Sequence, residues 1–169
     1  MSEPRAKNAE RPHPLEPLLL DQADPRARGR AHGEHWRAAI HELGEIRLAL
    51  TVRRSGFLDE EEVLAAAGLH LPVLREQLPR LAEELEGIAE GAALSPEQIV
   101  VLNHYTDLRD VPRSVLGRPE PADPRPGPRG AGEPDGCTAV YFMGERGPLM
   151  GETWDLHANA EPYVRMLRI

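Results

Sequence analysis

The spacing of apolar residues changes once along this chain, and that change limits the folds it can adopt. Between Pro25 and Asp110 apolar residues recur every three or four positions, the period of a helix with one buried face. From Thr138 onward they alternate with a period of two, as in a β-strand. Seven prolines and five glycines occupy the twenty-five positions 112–136 between these regions. The sequence therefore predicts an α+β chain: a helical part and a β part joined by a flexible loop.

Start and stop signals divide the helical part. A first amphipathic helix, with Trp36 on its apolar face, is predicted to begin near Gly29 and to end before Gly56. Asp59 followed by Glu62 indicates a cap and its reciprocal acid at the start of a short helix that ends at Gly68.

Two prolines mark the starts of later helices, because proline lacks a backbone N–H and is tolerated best in a first turn. Pro79 predicts the end of a short helix and the start of a longer one that stops near Gly91. The motif Ser95-Pro96-Glu97-Gln98 combines a cap, a proline and a glutamine three residues after the cap, which predicts a helix from Pro96 to about Arg109. Its expected apolar face contains Ile99, Leu102 and Tyr105.

The remaining parts of the chain precede and follow these helices. Residues 1–24 are proline-rich and charged, and they predict an irregular arm that docks through Leu18-Leu19-Leu20. Residues 137–169 predict a hairpin with a turn at 144–147, followed by a third strand over 163–169. A three-stranded sheet with one helical layer leaves a face uncovered, so we expect a truncated chain with the first strands of a larger sheet.

Charge and composition exclude several classes of function. The chain has 20 Lys and Arg against 28 Asp and Glu, a net charge of −8, which argues against a nucleic-acid partner. The polar N-terminus lacks the apolar core of a signal peptide, and no stretch approaches the ~20 apolar residues of a membrane span. A single cysteine cannot form an internal disulfide. We therefore expect a cytoplasmic protein with no membrane partner.

That cysteine, Cys137, follows Gly136 where the loop meets the first strand. One interpretation is a small buried hydrophobic residue. The other is a nucleophile that becomes N-terminal after the chain cuts itself between Gly136 and Cys137. Glycine leaves its carbonyl unhindered, and a freed α-amine, with a pKa of about 7.7–8.0, can take the thiol proton without a histidine.

The motifs around Cys137 resemble the penicillin acyltransferase family of self-processing N-terminal-nucleophile cysteine hydrolases. The residues that carry this resemblance are Gly136-Cys137-Thr138, Gly151-Glu152-Thr153-Trp154-Asp155, Arg28-Gly29-Arg30-Ala31-His32-Gly33, the segment from Glu84 to Ala92 and the helix with Asn103. The resemblance covers about residues 26–169. It divides the chain into a helical pre-cleavage segment (25–111), a processing loop (112–136) and the start of the catalytic sheet (137–169) of an αββα sandwich.

The resemblance implies autocatalytic cleavage at Gly136–Cys137, Cys137 as nucleophile and Asp155 as an active-site carboxylate. The implied activity is hydrolysis or acyl transfer at a linear amide through a thioester, on a small-molecule amide or acyl donor and without a cofactor. Trp154 and His157 are candidate substrate-binding residues, and the cleaved fragment is a candidate partner. The alternative is a non-catalytic chain that persists as a helical scaffold or interaction unit.

Other polar motifs have simpler interpretations. His32-Gly33-Glu34-His35 lacks the four-residue spacing of helical zinc motifs, so no metal site is expected. His157 with Cys137 suggests a papain-like dyad, but the glycine-cysteine junction after a loop fits self-cleavage better. The acidic run 59–62 fits a solvated helix start.

Overall fold

The structure is a computed structural model that describes residues 17–119, 137–144, 147–154 and 158–169. In these ranges lie the helices α1 (Pro25–His35), α2 (Arg37–Arg54), α3 (Glu60–Gly68), α4 (His70–Gln77), α5 (Pro79–Ala92) and α6 (Pro96–Asp110), the strands β1 (Leu18–Leu19), β2 (Cys137–Gly144), β3 (Gly147–Trp154) and β4 (Leu167–Arg168), and the 3₁₀ helices Arg113–Leu116 and Ala158–Tyr163. The fold is a mainly helical α+β mixture, so the predicted class is confirmed. The sandwich architecture stays a prediction.

The helix starts predicted from caps and prolines are confirmed. The Asp59 carboxylate accepts a hydrogen bond from the amide of Glu62 at 2.9 Å, as a cap of α3 should. The predicted reciprocal bond is different, because the Glu62 carboxylate accepts from the amide of Leu58 instead. Both bonds of the capping box between Ser95 and Gln98 are present, at 3.3 and 2.8 Å.

The prediction of one long first helix is wrong in its start and in its continuity. The expected long first helix is two helices, since the backbone leaves helical geometry at Trp36, and α1 begins at Pro25 rather than near Gly29. α5 ends at Ala92, one residue after the predicted stop near Gly91, and Ala93 adopts the left-handed conformation that ends it. Gly91 instead lies where α1 approaches the backbone of α5.

The hydrophobic core is formed between the helices, with α6 in contact with α2, α3, α4 and α5. The predicted apolar face of α6 is only partly correct: Ile99 is buried, but Leu102 and Tyr105 are only partly buried. The other fully buried residues of α6 are Val100, Val101 and Leu108. Since several helices pack on α6, its buried surface is wider than one helical stripe.

The first residues of the predicted loop pack on the helices. Arg113 lies in a 3₁₀ helix, is 7% exposed and pairs with the buried carboxylate of Glu62 in α3. Residues 120–136 lie outside the described residues. The loop prediction therefore does not hold for the segment around Arg113.

The predicted hairpin is confirmed, and the predicted third strand is correct only in part, because a strand covers Leu167–Arg168 alone. β2 and β3 pair antiparallel from Cys137 opposite Trp154 to Gly144 opposite Gly147. Residues 158–163 form a 3₁₀ helix, and β4 pairs parallel with β1 rather than with the hairpin. The arm docks as expected, since Leu20 is 2% exposed. None of the helices in the described ranges has the length and apolar content needed to cross a bilayer.

Candidate active site

The candidate nucleophile lies at the first position of strand β2. The Cα of Cys137 pairs in the antiparallel register with that of Trp154, the last residue of β3. Asp155, the predicted carboxylate, is the next residue in the sequence. Gly136, Asp155 and His157 lie outside the described residues. The structure thus pairs the backbone of Cys137 with that of Trp154. These residues belong to the two motifs that predicted the site, 136–138 and 151–155.

The hairpin that begins at Cys137 is apolar on both faces, so the predicted alternation with a period of two is wrong for residues 139–143. Since side chains alternate along a strand and paired residues share a face, Val140 and Phe142 lie on one face, and Tyr141 and Met150 lie on the other. All four are exposed, from 58% for Val140 to 75% for Met150. No described helix contacts the hairpin. Strands with apolar residues on both faces are typical of sheets that are covered on both sides.

The two helical motifs of the family resemblance lie against each other. In α1, Gly29 and Gly33 face α5, where Gly87 and Gly91 are spaced identically. A methyl group at any of these glycines would overlap a backbone carbonyl of the opposite helix. The contacts advance in the same direction along both helices, from Arg26 with Gly87 to Glu34 with Gly91, so α1 and α5 run parallel. Glycine is required here because the two backbones touch.

Ion pairs flank this glycine contact. The Arg28 guanidinium donates to both oxygens of Glu84, at 3.1 and 2.6 Å. Arg26 and Arg30 both pair with Glu90 and lower the pKa of its carboxyl to about 2. These pairs join α1 to α5 beside the glycine contact, so the two motifs lie in one packed unit.

The histidines of the motif at 32–35 pack on an aromatic side chain. The rings of His32 and His35 each contact Trp36 edge-on, with centroids 5.2 Å apart. Burial lowers the pKa of His32. Within the described ranges, no group of three or more His, Cys, Asp or Glu side chains could hold a metal ion. Because Trp36 lies between α1 and α2, the two histidine rings pack at the junction of these helices.

A second feature with site-like geometry lies in the helical part. A groove of about 420 Å³ is bounded by α3 to α6 and by the 3₁₀ helix at Arg113–Leu116. The rings of His70 and His104 stack at its wall, with centroids 5.8 Å apart and an interplanar angle of 16°. The rest of the described lining is apolar except for Gln77. The groove is in the size range of small-ligand sites.

Part of the chain is similar in sequence to a known protein. No protein-family model matches the chain. A protein of Emericella nidulans (strain FGSC A4), named acyl-coenzyme A:6-aminopenicillanic-acid-acyltransferase 40 kDa form, is 34% identical over 97 residues. This chain is similar to an acyltransferase. The match covers 57% of this chain and 22% of that acyltransferase, so the chain matches about a fifth of its relative's length.

The similarity to this acyltransferase agrees with the resemblance inferred from the motifs, at the level of weak homology. Sequence reasoning missed the groove with His70 and His104. α6 is interrupted at His104, where φ is −119° and ψ is 24°. Arg47, 55 positions before Leu102, donates to the carbonyl of Leu102 next to this interruption. No local sequence signal marks the break, and the Arg47 contact beside it joins residues that are distant in sequence.

Proposed function

We propose that this chain belongs to an autoproteolytic cysteine acyltransferase or amidohydrolase, in which Cys137 is both the cleavage point and the nucleophile. The observation that carries the proposal is the similarity to an acyltransferase, together with a strand that begins at the single cysteine of the chain. The doubly apolar hairpin supports a sheet covered on both faces, as a sandwich of layers requires.

In the proposed self-cleavage step, the Cys137 thiolate attacks the carbonyl carbon of Gly136. The peptide C–N bond breaks, and its nitrogen takes a proton to become the α-amine of Cys137. Water then hydrolyses the thioester between the two residues, which releases the Gly136 carboxylate and regenerates the thiol. An unperturbed α-amine has a pKa of about 7.7–8.0, so the freed α-amine is proposed as the base for the sulfur beside it.

In the proposed turnover, the α-amine takes the thiol proton and the sulfur attacks the carbonyl of an acyl donor. The leaving amine or thiol departs with a proton, and the acyl group is held as a thioester on Cys137 until an amine or water takes it. Asp155 is the proposed carboxylate that supports both reactions. Trp154 and His157 are the proposed substrate contacts.

Electrophoresis of the purified full-length chain under denaturing conditions tests self-cleavage. We expect a fragment of 33 residues, Cys137 to Ile169, with an N-terminal cysteine identified by mass spectrometry. Cys137→Ala should remain whole, whereas Tyr141→Phe in the same strand should be cut like the native chain. An intact native chain would refute self-cleavage and favour the non-catalytic helical unit.

Acylation of the sulfur tests the transfer reaction separately. After incubation with a short-chain acyl-coenzyme A, the fragment that begins at Cys137 should gain the mass of one acyl group and lose it on addition of an amine acceptor. Cys137→Ser should suppress turnover, because a serine hydroxyl is far less ionised than a thiol near neutral pH. Equal turnover by the serine variant would remove Cys137 as the nucleophile.

A further inference from the structure

A second cavity, of about 90 Å³, lies where α2, α3 and α6 meet. Leu64 of α3 and Val101 of α6 form apolar parts of its wall. Because a water molecule takes up about 30 Å³ in the liquid, the cavity has room for about three waters or a molecule of similar size. Four residues at helical spacing supply the wall on the side of α2: His41, Gly44, Glu45 and Leu48.

Two of these α2 residues offer hydrogen-bond acceptors without partners. Nε2 of His41 lies 2.7 Å from the carbonyl oxygen of Ala92, and a carbonyl only accepts, so in the neutral ring Nδ1 is the acceptor. No described residue bonds to this Nδ1, and unlike Nδ1 of His70 it is not shut off from solvent. The carboxylate of Glu45, one turn along α2, has no ion-pair partner within the described ranges.

A glycine keeps the cavity open. Gly44 lies inside α2, where glycine is less favourable than alanine. Unlike the glycines between α1 and α5, it is not required by a backbone contact, since an added methyl would come no closer than 3.9 Å, to the side chain of Leu102. Position 44 lies on the cavity side of α2, so that methyl would reduce the free volume. Gly44 therefore contributes space rather than close packing.

The lining of the cavity favours a cation. Among the described residues that line it, Glu45 carries a carboxylate and none is a lysine or an arginine. The side-chain oxygen of Gln98 already accepts from the backbone of Ser95. The carboxylate of Glu45 and Nδ1 of His41 both accept, so they match a group that only donates, as an ammonium does.

We propose that this cavity binds a small primary amine in its ammonium form, with an unbranched chain of about three carbons. The ammonium donates to the carboxylate of Glu45 and to Nδ1 of His41, and the chain packs against Leu64 and Val101. The site does not include Cys137, so its failure and that of the proposed function are distinguishable.

Nuclear magnetic resonance titration of the isotope-labelled full-length chain, at pH 7 and constant ionic strength, tests the proposal. Propylamine is protonated at this pH, as a lysine side chain is, and should shift the amide signal of Gly44 in a saturable way with a millimolar dissociation constant. Propanol lacks the charge and methylammonium lacks the chain, so each should bind at least about fivefold more weakly.

The Cys137→Ala variant should bind propylammonium like the native chain, whether or not the native chain cleaves itself. Propanol binding as tight as propylammonium binding, or no saturable shift at Gly44, would overturn the proposal.

Variants locate the site. Glu45→Gln keeps the shape but removes the charge, so the affinity for propylammonium should fall about fivefold or more while that for propanol stays unchanged. Gly44→Ala should weaken both ligands by about threefold or more without destabilising α2. Glu61→Gln is the matched control, because Glu61 is exposed on α3 and does not line the cavity. Equal losses for Glu45→Gln and Glu61→Gln would contradict this location.

Discussion

At the scale of single residues, Glu62 is the most consequential charge in the helical part. It is 1% exposed, and its carboxylate is bound by Arg113, Arg118 and the amide of Leu58. Glu62→Gln preserves the shape but removes the buried negative charge that the Arg113 guanidinium contacts. We expect a loss of about 3 kcal/mol in the free energy of unfolding, the usual cost of breaking a buried ion pair, measured by urea denaturation at pH 7.

Glu61→Gln is the matched control, because Glu61 is the exposed neighbour of Glu62 in α3. Its effect should remain within about 0.5 kcal/mol, as for most surface substitutions. Equal losses for the two variants would show that the buried pair with Arg113 contributes no more to the free energy of unfolding than an exposed carboxylate does.

The same carboxylate should make stability depend on pH. Hydrogen bonds from Arg113, with smaller contributions from Leu58 and Arg118, lower the pKa of Glu62 from 4.5 to about 2. Because the pKa is lower in the folded state, the stabilisation is complete above pH 4.5 and is lost as the pH falls from 4.5 towards 2. The difference in stability between the native chain and Glu62→Gln should therefore shrink over this range in urea titrations. A difference that stays constant down to pH 2 would contradict this assignment.

At the scale of elements, the contact between α1 and α5 depends on glycine. A methyl group on Gly87 would overlap the carbonyl oxygen of Arg26, so Gly87→Ala must push α1 away from α5. We expect this substitution to destabilise the fold by about 1–3 kcal/mol in chemical denaturation, as overpacking does.

Gly44→Ala gives the opposite expectation with the same chemical change. Its methyl group would lie 3.9 Å from the nearest side-chain atom of Leu102, an ordinary van der Waals distance. Alanine should therefore stabilise the chain by about 0.5–1 kcal/mol, since it is the better helix former. If both alanine variants shift stability in the same direction, the close approach at Gly87 does not limit the fold.

These elements also show what the sequence can predict. The starts of α3, α5 and α6 depend on caps and prolines within four residues, so local chemistry was enough. β4 pairs with β1 from the other end of the sequence, and Arg37, directly after the break at Trp36, donates to the distant carbonyl of Gly91. No local pattern indicated either feature. For the site, the β-forming residues after Cys137 and the turn at 144–147 predicted the hairpin, whereas the stacking of His70 on His104 depends on the folded helices.

At the scale of the whole molecule, the helical core and the hairpin pack separately in the part of the chain that the structure describes. Each of the two contains one of the two phenylalanines of the chain. Phe57 is fully buried among the helices, whereas Phe142 is 60% exposed in β2. Phe57→Ala should cost about 3–5 kcal/mol through the cavity it leaves. Phe142→Ala should change the helical unfolding transition by less than about 0.5 kcal/mol, because no described helix contacts the hairpin.

Circular dichroism of the helices during urea denaturation measures both effects on the same signal. A large loss for Phe57→Ala with an unchanged midpoint for Phe142→Ala means that the helices fold without help from the strand that begins at Cys137. A midpoint lowered equally by both variants would mean that the apolar hairpin packs on the helical core. Since Phe142 shares a face with Val140, a further loss on adding Val140→Ala to Phe142→Ala would identify that face as the one in contact.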